Sequence, residues 1–291
     1  MSDSIWRGVL VLVMAGCVRP AAAQSEERGF TLYGRFDGTA NTLGTFMRLD
    51  ATVGYNFNRF VAVEAGLPVY FVRPSETALA YPGVSSVNGI GNVHTAVRLS
   101  FSNSVVNYAP SLTVTAPTGD ESKGLSTGHV TYDWNNHFDR LFGRVMPYAD
   151  IGIANAITDT PFFQRPFTSH GTVFHLEGGA LLRIWQYANL GASAYTFEPS
   201  GEQTVVSRLG LPPQAQAGQN RGRGRRIGVF EVRQVTVGPA EIARDRGASA
   251  WIMFTPSQTA TFYVGYSRST TYALNTVFFG MGFNLGSMIR R

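Results

Sequence analysis

The chain has 291 residues, 15% charged and 12% aromatic, with 32 glycines and a formal net charge of +5 that arginine supplies almost alone. Beyond the first twenty or so residues, no stretch stays apolar for the roughly 18 positions a membrane helix needs. Helical membrane spans are therefore excluded, and a membrane protein of this sequence must cross as strands.

The N-terminus reads as an export signal. Arg7 closes a short basic region, Gly8 to Val18 is an apolar core too short to span, and Ala21-Ala22-Ala23 before Gln24 has the small-residue form of a cleavage site. Residues 1–23 are thus expected to be a signal peptide, with the barrel in 24–291. The alternative is a lipobox approximated by Met14-Ala15-Gly16-Cys17, in which Cys17 would be lipidated and kept. Cleavage after Ala23 leaves no cysteine, which suits an oxidising periplasm.

After an opening strand at Phe30–Gly38, apolar and polar residues alternate with the period of two that marks a strand with unlike faces. Met47, Leu49, Ala51, Val53, Tyr55 and Phe57 oppose Arg48, Asp50, Thr52, Gly54 and Asn56. Past a turn at Asn58-Arg59, Val61, Val63, Ala65, Leu67, Val69 and Phe71 oppose Glu64, Gly66 and Tyr70. Val93, Val97, Leu99 and Phe101 then oppose Asn92, His94, Arg98 and Ser100, and Leu112, Val114 and Ala116 oppose Ser111, Thr113 and Thr115. Val130, Tyr132, Trp134 and Phe138 oppose Thr131, Asp133, Asn135 and His137. Val145, Ile151 and Ile153 oppose Arg144, Tyr148 and Asp150; Leu176, Ala180, Leu182 and Ile184 oppose His175, Glu177 and Arg183. Further strands follow near Asn189–Phe197, Ala250–Thr255, Ala260–Ser267 and Thr276–Leu285.

The total is about twelve strands, an even number as in single-chain bacterial barrels. Short turns near Asn58-Arg59, Ser102–Val105, Asp139–Phe142, Trp185–Tyr187 and Pro256–Gln258 alternate with longer loops at Arg73–Val87, Gly119–Gly128, Ala156–Thr172 and Glu198–Ser249. That sorting predicts an all-β, transmembrane, antiparallel up-and-down barrel with short periplasmic turns and both termini periplasmic. Residues 198–249 form a long extracellular loop. Thr204–Leu209 and Val229–Val237 inside it are read as a hairpin or an inward plug, because threading them through the membrane would make a long basic periplasmic connection. Fourteen strands is the alternative count.

The cost of burying charge decides which face meets lipid. An arginine on the lipid face at the midplane costs roughly 2–4 kcal/mol. Arg48, Asp50, Glu64, His94, Arg98, Asp133, His137, Arg144, Asp150, His175, Glu177 and Arg183 are therefore expected to line the lumen. An apolar-in arrangement would leave a lumen of twelve strands, wider than eight strands can fill, dry and hollow. Phe57, Phe60, Phe101, Tyr108, Phe138, Phe142, Trp185, Tyr187 and Phe254 gather at the short-turn ends, where an aromatic girdle belongs. In the last strand, Gly280, Phe283 and Leu285 have the Gly-x-x-aromatic-x-apolar spacing of an outer-membrane assembly signal, with Phe278 where a polar residue is usual.

Gly89-Ile-Gly-Asn-Val (with Gly91 and Asn92), Ala116-Pro117-Thr118-Gly119-Asp120 and Lys123-Gly124 occur in this order along the chain. From Val61 to Leu285 the arrangement resembles the outer-membrane family named for the MetA pathway of phenol degradation, also called simply transporters. Asn92 stands where that family's Gly-x-Gly-Asp has Asp. The resemblance implies a barrel passing small molecules, aromatic ones among the candidates, and supplies no catalytic residues. Read from the residues alone, Pro117 ends ladder donation and Gly119 permits a turn, so the motif shapes an extracellular loop.

No catalytic constellation emerges. A lipid hydrolase needs Ser and His together on the lipid side, whereas His94, His137 and His175 take the polar face and His129 and His170 sit at loops. No metal or cofactor is expected, since those three histidines would have to converge from non-adjacent strands. The lumen charges are read as a salt-bridged latch ahead of a selectivity lining. Arg221–Arg226 points to lipopolysaccharide phosphates, because it lacks the interleaved aromatics of a nucleic-acid site. The expected partners are outer-membrane lipid, lipopolysaccharide, the barrel assembly machinery and a small solute. The functional expectation is a non-enzymatic channel or facilitator for passive passage of small molecules through a narrow polar lumen. The alternatives are a closed barrel acting through loop 198–249, and an outer-membrane lipid hydrolase.

Overall fold

The computed structural model describes residues 28–75, 85–157, 159–160, 162–211, 228–257 and 259–284. The signal peptide, Cys17, Arg221–Arg226 and Leu285 lie outside them. The strands, in chain order, begin with β1 (Gly29–Asn41), β2 (Gly44–Asn56), β3 (Val61–Pro74), β4 (Val87–Ile90), β5 (His94–Leu99) and β6 (Phe101–Ser102). They continue with β7 (Asn107–Thr115), β8 (Thr131–Asp139), β9 (Val145–Ala154), β10 (Phe167–His170), β11 (Val173–Trp185) and β12 (Ala188–Pro199). The last are β13 (Gln203–Ser207), β14 (Val235–Gly238), β15 (Asp245–Ser257), β16 (Ala260–Ser269) and β17 (Leu274–Asn284).

Neighbours in sequence pair antiparallel around the wall, and β17 pairs back onto β1, so the sheet closes without an edge. β4, β5 and β6 are pieces of one wall strand, which brings the described wall to twelve. The pairing of β3 shifts by one residue between Gly66↔His94 and Val69↔Ile90, leaving Gly91–Val93 as a bulge. Below the bulge His94, Ala96 and Arg98 face inward; above it Val87 and Gly89 do. The one-residue insertion has exchanged the faces.

Burial alternates along most of the long strands, with most apolar residues outside. Val53, Ile153, Leu190, Ile252, Val264 and Val277 are exposed while their neighbours in the strand are shielded. The aromatic residues near the short turns form a continuous outer course across adjacent strands. Phe60, Phe101, Tyr108 and Phe138 follow one another at ring-centroid distances of 6.3, 6.1 and 4.9 Å.

The structure changes several expected boundaries. The first outer connection is only Thr42-Leu43, and the last is the four residues 270–273, so two outer connections are as short as the periplasmic ones. Wall strands β12 and β15 extend to Pro199 and from Asp245, trimming the long loop to 200–244. Within it, β13 and β14 join β10 in a separate three-stranded sheet. Among the described residues this segment forms the paired strands β13 and β14, and no additional strand enters the wall.

Candidate functional site

The lumen is built first by two copies of one short pattern. Arg35-Phe-Asp37 on β1 and Arg48-Leu-Asp50 on β2 run antiparallel in register, so that Arg35 lies opposite Asp50 and Asp37 opposite Arg48. Each arginine also pairs along its own strand: Arg35 Nε is 2.5 Å from Asp37, and Arg48 contacts Asp50. The result is a checkerboard of four charges in which every like-charge pair is diagonal. Asp37 is fully buried and accepts from the Tyr263 hydroxyl as well. Next around the wall, Arg98 Nη2 donates to Glu64 Oε1 at 3.0 Å, and His94 lies flat over Gly66, where a Cβ would crowd its ring.

The second charged group spans β8, β9 and β11. His175 Nε2 lies 2.8 Å from Asp133 Oδ1, and His137 Nδ1 lies 3.0 Å from Asp150 Oδ1. Asn135 donates to Asp150 at 2.8 Å, and the Tyr148 hydroxyl donates to Glu177 at 3.0 Å. Ten of the twelve expected lumen residues therefore sit on the shielded inner face. The other two do not line the lumen's interior. Arg144 is in an exposed turn, because Gly143 in the left-handed region and the Phe142↔Val145 bridge close the chain one residue before β9 begins. Arg183 keeps inner-face parity but lies exposed near the periplasmic end of β11.

The expectation of a polar lumen needs correction on the β9–β17 side. There Met146, Tyr148, Leu181, Trp251, Met253, Tyr263 and Phe278 form a buried apolar cluster. Phe162, from the loop after β9, reaches into it and stacks on Trp251 at 4.2 Å between centroids, with Phe278 at 5.3 Å. Several of these rings lie flat over a neighbouring strand's glycine. A Cβ at Gly191 would overlap Trp251, one at Gly265 would overlap Phe278, and one at Gly280 would overlap Tyr263. Glycine thus lets large rings lie along the wall, and Phe162 fills the space they leave.

The outer mouth is packed by loops. Ile157, Phe163, Phe167, Val205, Leu209, Leu211 and Phe230 form a second buried core with wall residues including Phe46, Val72, Val173 and Leu274. Two buried ion pairs fasten it. Asp159 accepts from Arg208 Nη1 at 3.0 and 2.8 Å, from the Tyr70 hydroxyl at 3.0 Å and from the Arg165 backbone at 2.8 Å. Arg165 lies 3.5 Å from Asp245 and over the Phe197 ring at 4.4 Å. Burial alone would raise the Asp159 carboxyl, but Arg208 and Arg48 outweigh it and hold it below the usual carboxylate range.

Between plug and wall, on the β1–β8 side, remains a cavity of about 320 Å³. It runs from Tyr33, Glu64 and Arg98 toward the periplasmic end to Tyr70, Leu125 and Arg208 beneath the loops. Four arginines (Arg35, Arg48, Arg98, Arg208) and four acids (Asp50, Glu64, Asp133, Asp159) line it. The lumen is therefore asymmetric in chemistry: charged and partly open on one side, aromatic and filled on the other.

Sequence reasoning named the wall charges but missed Asp159, Phe162, Arg165 and Arg208. They lie in segments without periodicity, and only Phe278 hinted that part of the inner face is apolar. The Gly89–Gly124 motif residues hold the outer end of the bulged strand. Asn92 Oδ1 accepts from Gly119 N at 2.9 Å, and Thr118 Oγ1 accepts from Val93 N at 2.8 Å. Asp120 caps the following turn by accepting from Ser122 and pairs with Lys123 at 3.1 Å. Gly89 packs against Leu125, and Gly91 against Tyr70. Pro117 precedes this turn and lies outside the ladder. Gly280 has a structural role as the floor beneath Tyr263, and Phe283 packs among Phe36, Ala260 and Phe262.

No protein-family model and no curated protein sequence matches the chain. Among solved structures, an outer-membrane channel from Pseudomonas putida F1 superposes with a TM-score of 0.57 at 10% identity, over 92% of this chain and all of that one. The NanC porin gives 0.49 at 9% identity over 87% and 98% of the two chains. The KdgM porin in complex with oligogalacturonate gives 0.48 at 8% identity over 87% and 98%. The fold is that of an outer-membrane β-barrel.

Proposed function

We propose that this outer-membrane barrel is a narrow channel for passive passage of small molecules, conducting along the β1–β8 side of its lumen. The observation that carries the reading is the charged cavity of about 320 Å³ left between wall and plug. Had the lumen been meant only to be filled, the aromatic packing of the β9–β17 side could have continued around it. Instead the β1–β8 side carries paired charges, hydroxyls and the imidazole of His94, which favour water and small polar solutes. The Pseudomonas putida F1 protein of the same fold is itself a channel. An aromatic solute, as the motif resemblance implies, would have to slide past the Arg48–Asp50 and Arg98–Glu64 pairs.

A second reading, a closed barrel whose outer loops serve a structural or surface-binding role, draws on the apolar core in the mouth. Planar-bilayer conductance of the full chain and of a variant lacking residues 203–243 separates the two. The channel reading expects small, discrete conductance from the full chain and larger steps after deletion. Absence of conductance and of liposome swelling in both forms would overturn it.

A further inference from the structure

On the outside of the barrel, near the extracellular ends of β12, β15 and β16, two arginines share one carboxylate and a third arginine stands beside them. Arg244 Nε lies 3.0 Å, and Arg246 Nη2 2.5 Å, from the two oxygens of Glu198. Arg268 on β16 is exposed, outward-facing, and without an ion pair or hydrogen bond among the described residues. It lies opposite Ala248, the next outward position from Arg246, which places the two side chains as diagonal neighbours across adjacent strands.

Depth in the membrane follows from the register. On β15, Arg246 stands eight positions from Phe254 at the periplasmic girdle. At about 3.3 Å per residue and a tilt near 40°, Arg246 stands roughly 20 Å above that girdle, close to the upper edge of an apolar belt about 25 Å tall. Arg268 stands one outward position lower. An arginine there either snorkels or meets an anion.

Directly beneath lies a block of six small outward residues in register across three strands. Gly178, Ala194 and Ala248 form one row, and Ala180, Ala192 and Ala250 the next. A Cβ at Gly178 would meet nothing within 4 Å. Leu182, Leu190 and Ile252 close the block below, and Tyr266 borders it on β16. The wall is recessed here, over about 10 Å, between bulkier neighbours.

We propose that this face binds a phosphorylated glycolipid of the outer leaflet, with the phosphate held by Arg246 and Arg268 and an acyl chain lying in the small-residue recess. Guanidinium groups take phosphate in a two-pronged geometry. The site faces lipid rather than solvent and joins a cationic edge to an apolar trough. That combination fits an amphiphile with an anionic head, and fits a free anion less well. It stands independently of whether the lumen conducts.

The test is native mass spectrometry of the purified full-length barrel with bisphosphorylated lipid A, fully dephosphorylated lipid A, or inorganic phosphate. Wild type is expected to retain bisphosphorylated lipid A at least about tenfold more strongly than an R246A/R268A variant. R246K/R268K should recover part of the binding, and A194L/A248L should weaken it while leaving both arginines in place. Circular dichroism confirms that each variant is folded. Equal retention by folded R246A/R268A, equal retention of dephosphorylated lipid A, or displacement of lipid A by millimolar inorganic phosphate would each overturn the proposal.

Discussion

The plug's hold on the wall can be tested at one carboxylate, Asp159. Its two oxygens accept from Arg208, Tyr70 and the Arg165 backbone, and the side chains of the Arg208–Asp159 pair are only 7% and 3% exposed. Asp159→Asn keeps the shape but leaves Arg208 buried without its counter-ion. Breaking one partner of a buried pair costs about 3–5 kcal/mol, which weakens docking of the loop by roughly two to four orders of magnitude. Arg165–Asp245 and the bond from Thr39 Oγ1 to the Gln164 carbonyl still hold other parts of the loop. The expected result is local release: larger or more frequent conductance steps in planar bilayers and faster external proteolysis near 159–165, with a nearly unchanged strand signal. Replacing both charges together (Asp159→Leu with Arg208→Met) should restore closure, because an apolar pair can substitute for a buried ion pair at little net cost. Unchanged conductance and proteolysis in Asp159→Asn, or a double variant as open as the single one, would refute the reasoning.

Acid should act on the same clasp with a definite sign. A carboxyl held below its ordinary value of about 3.9 contributes fully above that value and loses its contribution only as pH falls through the lower, folded value. The contacts around Asp159 should therefore hold equally at pH 7 and pH 5 and loosen only below the usual carboxylate range; loss of protease protection around Asp159 already at pH 5 would contradict this. Phe162→Ala removes the ring that fills the β9–β17 side, at a cost of about 3–5 kcal/mol in packing, and should raise single-channel conductance above wild type. Gly280→Val should push Tyr263 off Asp37 and lower the urea midpoint by the equivalent of about 1–3 kcal/mol. If instead only the rate of membrane assembly falls, with stability intact, Gly280 acts through an assembly signal. Asn92→Ala should expose the 117–128 turn to proteolysis at a cost of about 1 kcal/mol, and Asn92→Asp, which keeps the acceptor for Gly119 N, should not.

Strand identity and facing were legible because a strand's period of two is local. Arg48 next to Leu49 and Asp50 carries its own instruction about inside and outside once a lipid phase is assumed. Even the Arg35–Asp50 and Asp37–Arg48 oppositions follow from two Arg-x-Asp copies on adjacent antiparallel strands, given the register. The bulge at Gly91–Val93 was not legible, because one inserted residue leaves alternation intact on each side of it. Arg144 was misjudged for a related reason: turn geometry at Gly143, and not polarity, decides where β9 starts.

The sequence by itself determined a twelve-strand wall and the outward turn of its apolar faces, since both rest on residues one or two positions apart. Only the tertiary structure decided what fills the barrel. Whether Phe162 meets Trp251, or Arg208 meets Asp159, depends on aperiodic loops folding back 49 or more residues along the chain, and side-chain alternation carries no record of such contacts. The division of the lumen into an aromatic half and a charged, open half is therefore a property of packing.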